Sequence, residues 1–173
     1  MQRRLAVGGY SETSVGGSRI AVVAATAADA RDVLVEGQSG ILAVSPPWFR
    51  PVYESSKRRL TWPNGAIATT FSAEEPERLR GPQHDAAVCD ELGAWSRPET
   101  RDMLQFGLRL GRHPRSLVAT TPRPTRLIRE LLAREGCGVT VTRARPTRSE
   151  PGARVLRPDH RQIRRHAAWP ARA

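Results

Sequence analysis

Apolar positions in this chain fall in blocks, and polar or glycine-rich stretches separate the blocks. Ile20-Ala21-Val22-Val23-Ala24-Ala25 is an unbroken apolar run, the pattern of a strand covered on both faces of a parallel sheet. Thr26 stands where a helix cap belongs, and Ala27 to Val35 follows as a helix that Gly37 stops. Upstream, Met1 to Ala6 reads as the end of a helix and Gly8 to Ser18 as a polar turn. Ser45 to Arg50, with Pro46-Pro47-Trp48-Phe49, is an irregular aromatic corner. Leu60-Thr61-Trp62 and Ala66 to Phe71 then flank Pro63-Asn64-Gly65. Asn-Gly between two such runs predicts a hairpin.

Ala86-Ala87-Val88-Cys89 predicts a second buried strand. Pro98 to Leu110 has helical spacing, with Met103, Leu104, Phe106 and Leu110 on the inward face. Ser116 to Thr121 is a further buried strand, ended by Pro122. Thr125 to Ala133 predicts a helix, and Gly138 to Thr142 a last strand. Strands alternating with helices predict an α/β fold, a mostly parallel sheet with flanking helices. No internal repeat is present.

Asp90-Glu91, at the carboxyl end of the Ala86–Cys89 run, is the most chemically informative pair. Two carboxylates there have a specific use in ATP hydrolysis: one holds Mg²⁺ on the phosphates, and the other orients and deprotonates the attacking water. The bland alternative is a solvated strand-to-helix turn. A hydrolytic site also needs a glycine-rich phosphate loop ending in Gly-Lys-Thr or Gly-Lys-Ser. The 173 residues contain none. Lys57, the one lysine, sits in Ser55-Ser56-Lys57-Arg58-Arg59 with no glycine loop around it, and neither Gly8-Gly9 nor Gly16-Gly17 is followed by Lys-Thr or Lys-Ser.

Composition narrows the class without naming it. The length suits one domain with a core, and the apolar fraction of 39% is modest. No apolar run approaches a membrane span and no secretory leader opens the sequence, so a cytoplasmic protein is expected. Cys89 and Cys137 lack metal-ligand spacing and read as free thiols. The net charge of +11 invites a nucleic-acid reading, but its distribution weakens that. Residues 143–173 carry +7, which leaves +4 for residues 1–142.

Four pieces then carry a resemblance. They are Arg19 to Val33, Leu60-Thr61-Trp62-Pro63-Asn64-Gly65-Ala66, Arg78-Leu79-Arg80-Gly81-Pro82-Gln83-His84-Asp85 and Thr120-Thr121-Pro122-Arg123-Pro124. With Asp90-Glu91 between the last two, residues 19–142 resemble the ATPase domain of bacteriophage and gene-transfer-agent terminase large subunits, the DNA-packaging motors. The resemblance implies an incomplete P-loop NTPase-type domain. It makes Asp90 the Mg²⁺-associated acid, through water, and Glu91 the catalytic carboxylate. Thr120 and Thr121 match the family's coupling motif, which senses the γ-phosphate; otherwise they cap the turn before Pro122. Arg80 is a candidate arginine finger acting in trans, or else it pairs with Glu77 or Asp85. His84 and His113 read as loop residues.

The resemblance also implies ATP and Mg²⁺ as cofactors of the intact family. Its partners would be double-stranded DNA, a portal and a small terminase subunit, in a ring oligomer away from any membrane. The family's phosphate loop precedes a helix whose end resembles Met1 to Ala6, and its nuclease domain has no counterpart here. Two regions are therefore expected: residues 1–142 as a partial ATPase domain lacking the phosphate loop, and residues 143–173 as a basic, irregular, disordered tail. The tail lacks periodicity, and a one-base frame shift through Glu150 to Ala173 recovers text resembling what the family carries next. It is read as frameshifted. The chain alone is expected to be inactive. The competing readings are a helicase-like ATPase fragment and a non-catalytic basic DNA-binding protein.

Overall fold

The computed structural model describes residues 17–121, 125–133 and 137–139. Residues 17–121 belong to one compact unit and the later ones to another. In the first, six strands form one sheet: β1 (Arg19–Ala24), β2 (Val52–Glu54), β3 (Arg59–Thr61), β4 (Ile67–Ser72), β5 (Ala86–Asp90) and β6 (Arg115–Ala119). Their order is β2-β3-β4-β1-β5-β6. β4, β1, β5 and β6 run parallel, while β2 and β3 pair antiparallel at the β4 side. The predicted α/β architecture with a mostly parallel sheet is what forms.

β1 is central, which explains its apolar run. Ala21 to Ala24 are all essentially inaccessible to solvent, because helical segments cover both faces of a parallel sheet. One face carries Ile20, Val22 and Ala24 against Ala30, Leu34 and Val35. Those last three lie in a π-helical stretch (Ala30–Val35) that continues α1 (Ala27–Asp29). Thr26 caps this helix as predicted, its hydroxyl accepting from the Asp29 N–H at 3.1 Å. A short α2 (Ile41–Val44) follows.

The hairpin also forms. Gly65 turns it with φ +81, and the Asn64 side-chain carbonyl accepts from the Ala66 N–H at 3.1 Å. Neither α2 nor β2 was legible in the pattern. Each is only three or four residues long, and β2 exists because Tyr53 pairs with Leu60 on β3.

α3 (Glu99–Gly107) is shorter than predicted and turned about its axis. Its buried positions are Thr100, Leu104 and Gly107, whereas Phe106 is 72% exposed. The reason is local. The Thr100 hydroxyl donates to the buried Ala73 carbonyl at 2.6 Å, and a Cβ on Gly107 would stand only 3.0 Å from the Pro82 carbonyl oxygen. Close backbone approach at Gly107 therefore sets the rotation, and Phe106 falls outside the contact.

In the second unit, α4 (Arg126–Leu132) matches the predicted helix, with the Thr125 hydroxyl accepting from the Ile128 N–H at 3.3 Å. Residues 137–139 form no strand, so the expected last strand does not begin at Gly138. Its remaining positions, the amino-terminal helix end, the first glycine pair and the tail from Arg143 lie outside the described residues. Among the described residues no helix is long and apolar enough to cross a membrane.

Candidate functional site

β5 and β6 run side by side in parallel, with Asp90 opposite Ala119. The two acids and the two threonines therefore emerge together at the carboxyl end of the sheet, where ligands of open α/β sheets bind. Glu91 leaves the strand in the left-handed region, φ 46 and ψ 47. A non-glycine residue there costs about 1–2 kcal/mol, and such outliers gather at functional sites. Two contacts steady the turn: the Trp95 indole N–H donates to the Asp90 carbonyl at 3.0 Å, and the Ala94 N–H donates to the Glu91 carbonyl at 2.7 Å.

The Glu91 carboxylate is held from the neighbouring strand end. It accepts from the Thr121 N–H at 3.2 Å and from the Thr121 hydroxyl at 3.3 Å. Thr120 makes the complementary contact, its hydroxyl accepting from the Gly93 N–H at 2.9 Å. Each threonine thus ties the β6 end to the turn after β5. These contacts run to the acidic turn after β5, while Pro122, whose turn the threonines were otherwise expected to cap, lies outside the described residues. Trp95 and Gly93 share in this arrangement, and no sequence signal pointed to either.

Residues 6–148 match the family described as terminase large subunit, T4likevirus-type, N-terminal. The chain belongs to that family. Among solved structures, this terminase chain is similar to the large terminase ATPase domain of Thermus phage P74-26. The match has a TM-score of 0.50 at 19% identity and covers 69% of this chain and 53% of that one. A point variant of the same phage domain matches with a TM-score of 0.48 at 18% identity, covering 72% of this chain and 56% of that chain. The terminase chain therefore spans about half the length of the solved domains it matches, and shares the fold of the first. No curated protein matches it.

The other candidates fall elsewhere in the terminase fold. Arg80 ends the 3₁₀ turn Pro76–Leu79 and pairs with Glu77 at 3.1 Å, both side chains largely exposed. It lines a cavity of about 230 Å³ with Met103, Phe106 and Arg109 along the later turns of α3, apart from the Glu91–Thr121 contact. His84 is no surface loop residue. It is 4% exposed, stacks edge-on against Phe71 at 5.6 Å, and its Nε2 has no hydrogen-bond partner. Burial lowers its pKa below the usual 6.5, with Asp85 opposing and Arg19 adding to the shift. Both cysteines are free, and burial pushes the Cys89 thiol up to about 12.

Proposed function

We propose that this chain supplies the water-activating half of a terminase ATP site in a DNA-packaging motor. In this reading Glu91 accepts the proton of the attacking water and Asp90 is the acid associated with Mg²⁺. Thr120 and Thr121 couple the state of the γ-phosphate to the rest of the motor. What carries the reading is the Glu91 carboxylate, held by the N–H and hydroxyl of Thr121 at the carboxyl end of neighbouring parallel strands. A carboxylate aimed from the next strand is fixed enough to position a water. It also moves whenever that strand end moves.

The donor set suits Mg²⁺ in one way only. Among the described residues no three His, Cys, Asp or Glu side chains gather as a metal site. Mg²⁺ keeps most of its waters and needs only one or two carboxylates when phosphates supply the rest. Asp90 therefore fits an ion that arrives with the nucleotide, where it neutralises phosphate charge. Arg80 is assigned as a finger reaching a neighbouring subunit's nucleotide, because its exposed guanidinium lies away from its own Glu91 and pairs with the exposed Glu77. Double-stranded DNA, a portal, a small terminase subunit and a ring of subunits belong to the same proposal, as does a cytoplasmic location.

The test joins this chain to an upstream phosphate-loop segment from its family and measures Mg²⁺-dependent phosphate release. Glu91→Gln is expected to lower turnover by about 10²- to 10⁴-fold, the usual worth of a positioned general base. Equal turnover in the Gln variant overturns the assignment.

A further inference from the structure

Trp48 is 82% exposed, more than any other large apolar side chain among the described residues. Its backbone is firmly built. Pro46 enters in the extended region at φ −64 and ψ 149, and Pro47 opens a 3₁₀ turn (Pro47–Phe49). The Phe49 N–H closes that turn on the Pro46 carbonyl at 3.0 Å, and the buried Pro51 follows. Three prolines with ring-fixed φ therefore hold the indole out in water, so that little further order is lost when it meets a partner. Phe49 is partly exposed beside it, and Val44 and Val52 are exposed nearby in the chain.

The cavity beside Arg80 has the complementary character. Leu79 and Pro82 line it from the Pro76–Leu79 side, and Met103 and Phe106 line it from α3. Gly107 lets the two sides approach, since a Cβ there would stand 3.0 Å from the Pro82 carbonyl oxygen. Arg80 and Arg109 complete the lining, and no acid takes part. At about 230 Å³ the cavity is smaller than the roughly 300–1,000 Å³ of small-molecule sites, and suits a single large side chain. Phe, Met and Arg are the types enriched where proteins meet. Each also favours an aromatic guest: the Met103 sulfur at a ring edge, Phe106 edge-on or offset, and a guanidinium over a ring face.

We propose that Trp48 of one copy of this chain inserts into the Met103–Phe106 cavity of a second copy. Knob and cavity share no residue, so the contact is head-to-tail: each copy offers its indole to one neighbour and its cavity to another. Such contacts close into rings when the rotation allows. In naming where copies meet, the inference rests on the ring proposed above. Its test contains no nucleotide and reads association alone, whereas the nucleotide reading stands or falls on turnover. Val33, Leu117, Leu132 and Val139 are exposed as well, but they are aliphatic, and scattered single exposures are ordinary on a protein surface. The charge next to the knob is Arg50, of the same sign as Arg80 and Arg109, and each copy carries a net +11. Like charges oppose the contact, so salt strengthens it by screening them; phosphate-bound complexes weaken with salt instead.

The experiment is sedimentation of the full chain, freed of nucleic acid, over a concentration series at low and high salt. Wild type is expected to self-associate, more strongly at high salt. Trp48→Ala and Phe106→Ser, both at exposed positions and each checked for an unchanged melting temperature, are expected to weaken association by about 30-fold or more, the effect of losing a hot-spot aromatic. An equimolar mixture of the two variants keeps one intact knob and one intact cavity, and is expected to form pairs and nothing larger. A wild type that stays monomeric, or whose association salt dissolves, overturns the proposal. So does either variant associating as wild type does, or a mixture that stays monomeric.

Discussion

At the residue scale, His84 carries the clearest linkage between burial and behaviour. Its imidazole is enclosed by Phe71 and the end of α3, and Nε2 has no partner. In the unfolded chain it titrates at its ordinary 6.5, and in the folded chain burial holds it lower. Above 6.5 both states are neutral and this group gives no pH dependence. As pH falls through 6.5 the unfolded chain takes the proton first. Stability then declines, and the loss levels off below the folded value. Urea unfolding at about pH 5 and about pH 7.5 should show a smaller difference in His84→Gln than in the wild type. Equal pH sensitivity would show that another group is responsible.

At the scale of elements, α3 shows how a short helix takes its orientation from its neighbours. Its nine residues bury a narrow stripe, Thr100, Leu104 and Gly107, and each site predicts a different cost. Leu104→Ala should destabilise by about 2–5 kcal/mol through a cavity. Thr100→Val removes the donor to the Ala73 carbonyl and should cost about 1–3 kcal/mol. Phe106→Ser, at a 72% exposed position, should change stability by no more than about 0.5 kcal/mol. Denaturant midpoints measure all three. A Phe106 effect as large as that of Leu104 would mean that the helix buries the other face.

At the scale of the molecule, the sheet separates its chemistry by end, with Asp90, Glu91 and the two threonines at one, and Arg19 and Arg115 at the other. A parallel sheet does this naturally, because all its parallel strands present like ends together. Phosphoryl transfer depends on positioned phosphates, and the 173 residues include no glycine-rich loop with Gly-Lys-Thr or Gly-Lys-Ser. The purified chain is expected to release no phosphate from ATP with Mg²⁺. Release that disappears in Glu91→Ala would show that other groups here hold the phosphates.

Much of the fold was legible in local pattern. The apolar runs of β1 and β5, the Asn64-Gly65 turn and the Thr26 and Thr125 caps each depend on a few adjacent residues, and each formed; β6 formed as a strand, but at the edge of the sheet with Arg115 to Leu117 exposed, so the buried strand expected there did not. The pair Asp90-Glu91 and the pair Thr120-Thr121 could be marked as chemistry from residue type alone. Their meeting across thirty residues required β5 and β6 to pair in parallel with Asp90 opposite Ala119. A run of apolar residues marks a strand, and is silent on which strand lies beside it or whether it falls at the sheet's edge. The left-handed Glu91, the exposure of Phe106 and the enclosure of His84 had the same origin. Each depends on backbone contacts from distant segments, which periodicity along one segment does not encode. Charge behaved likewise: the total was visible in the sequence, but only the tertiary structure showed which arginines pair with which acids.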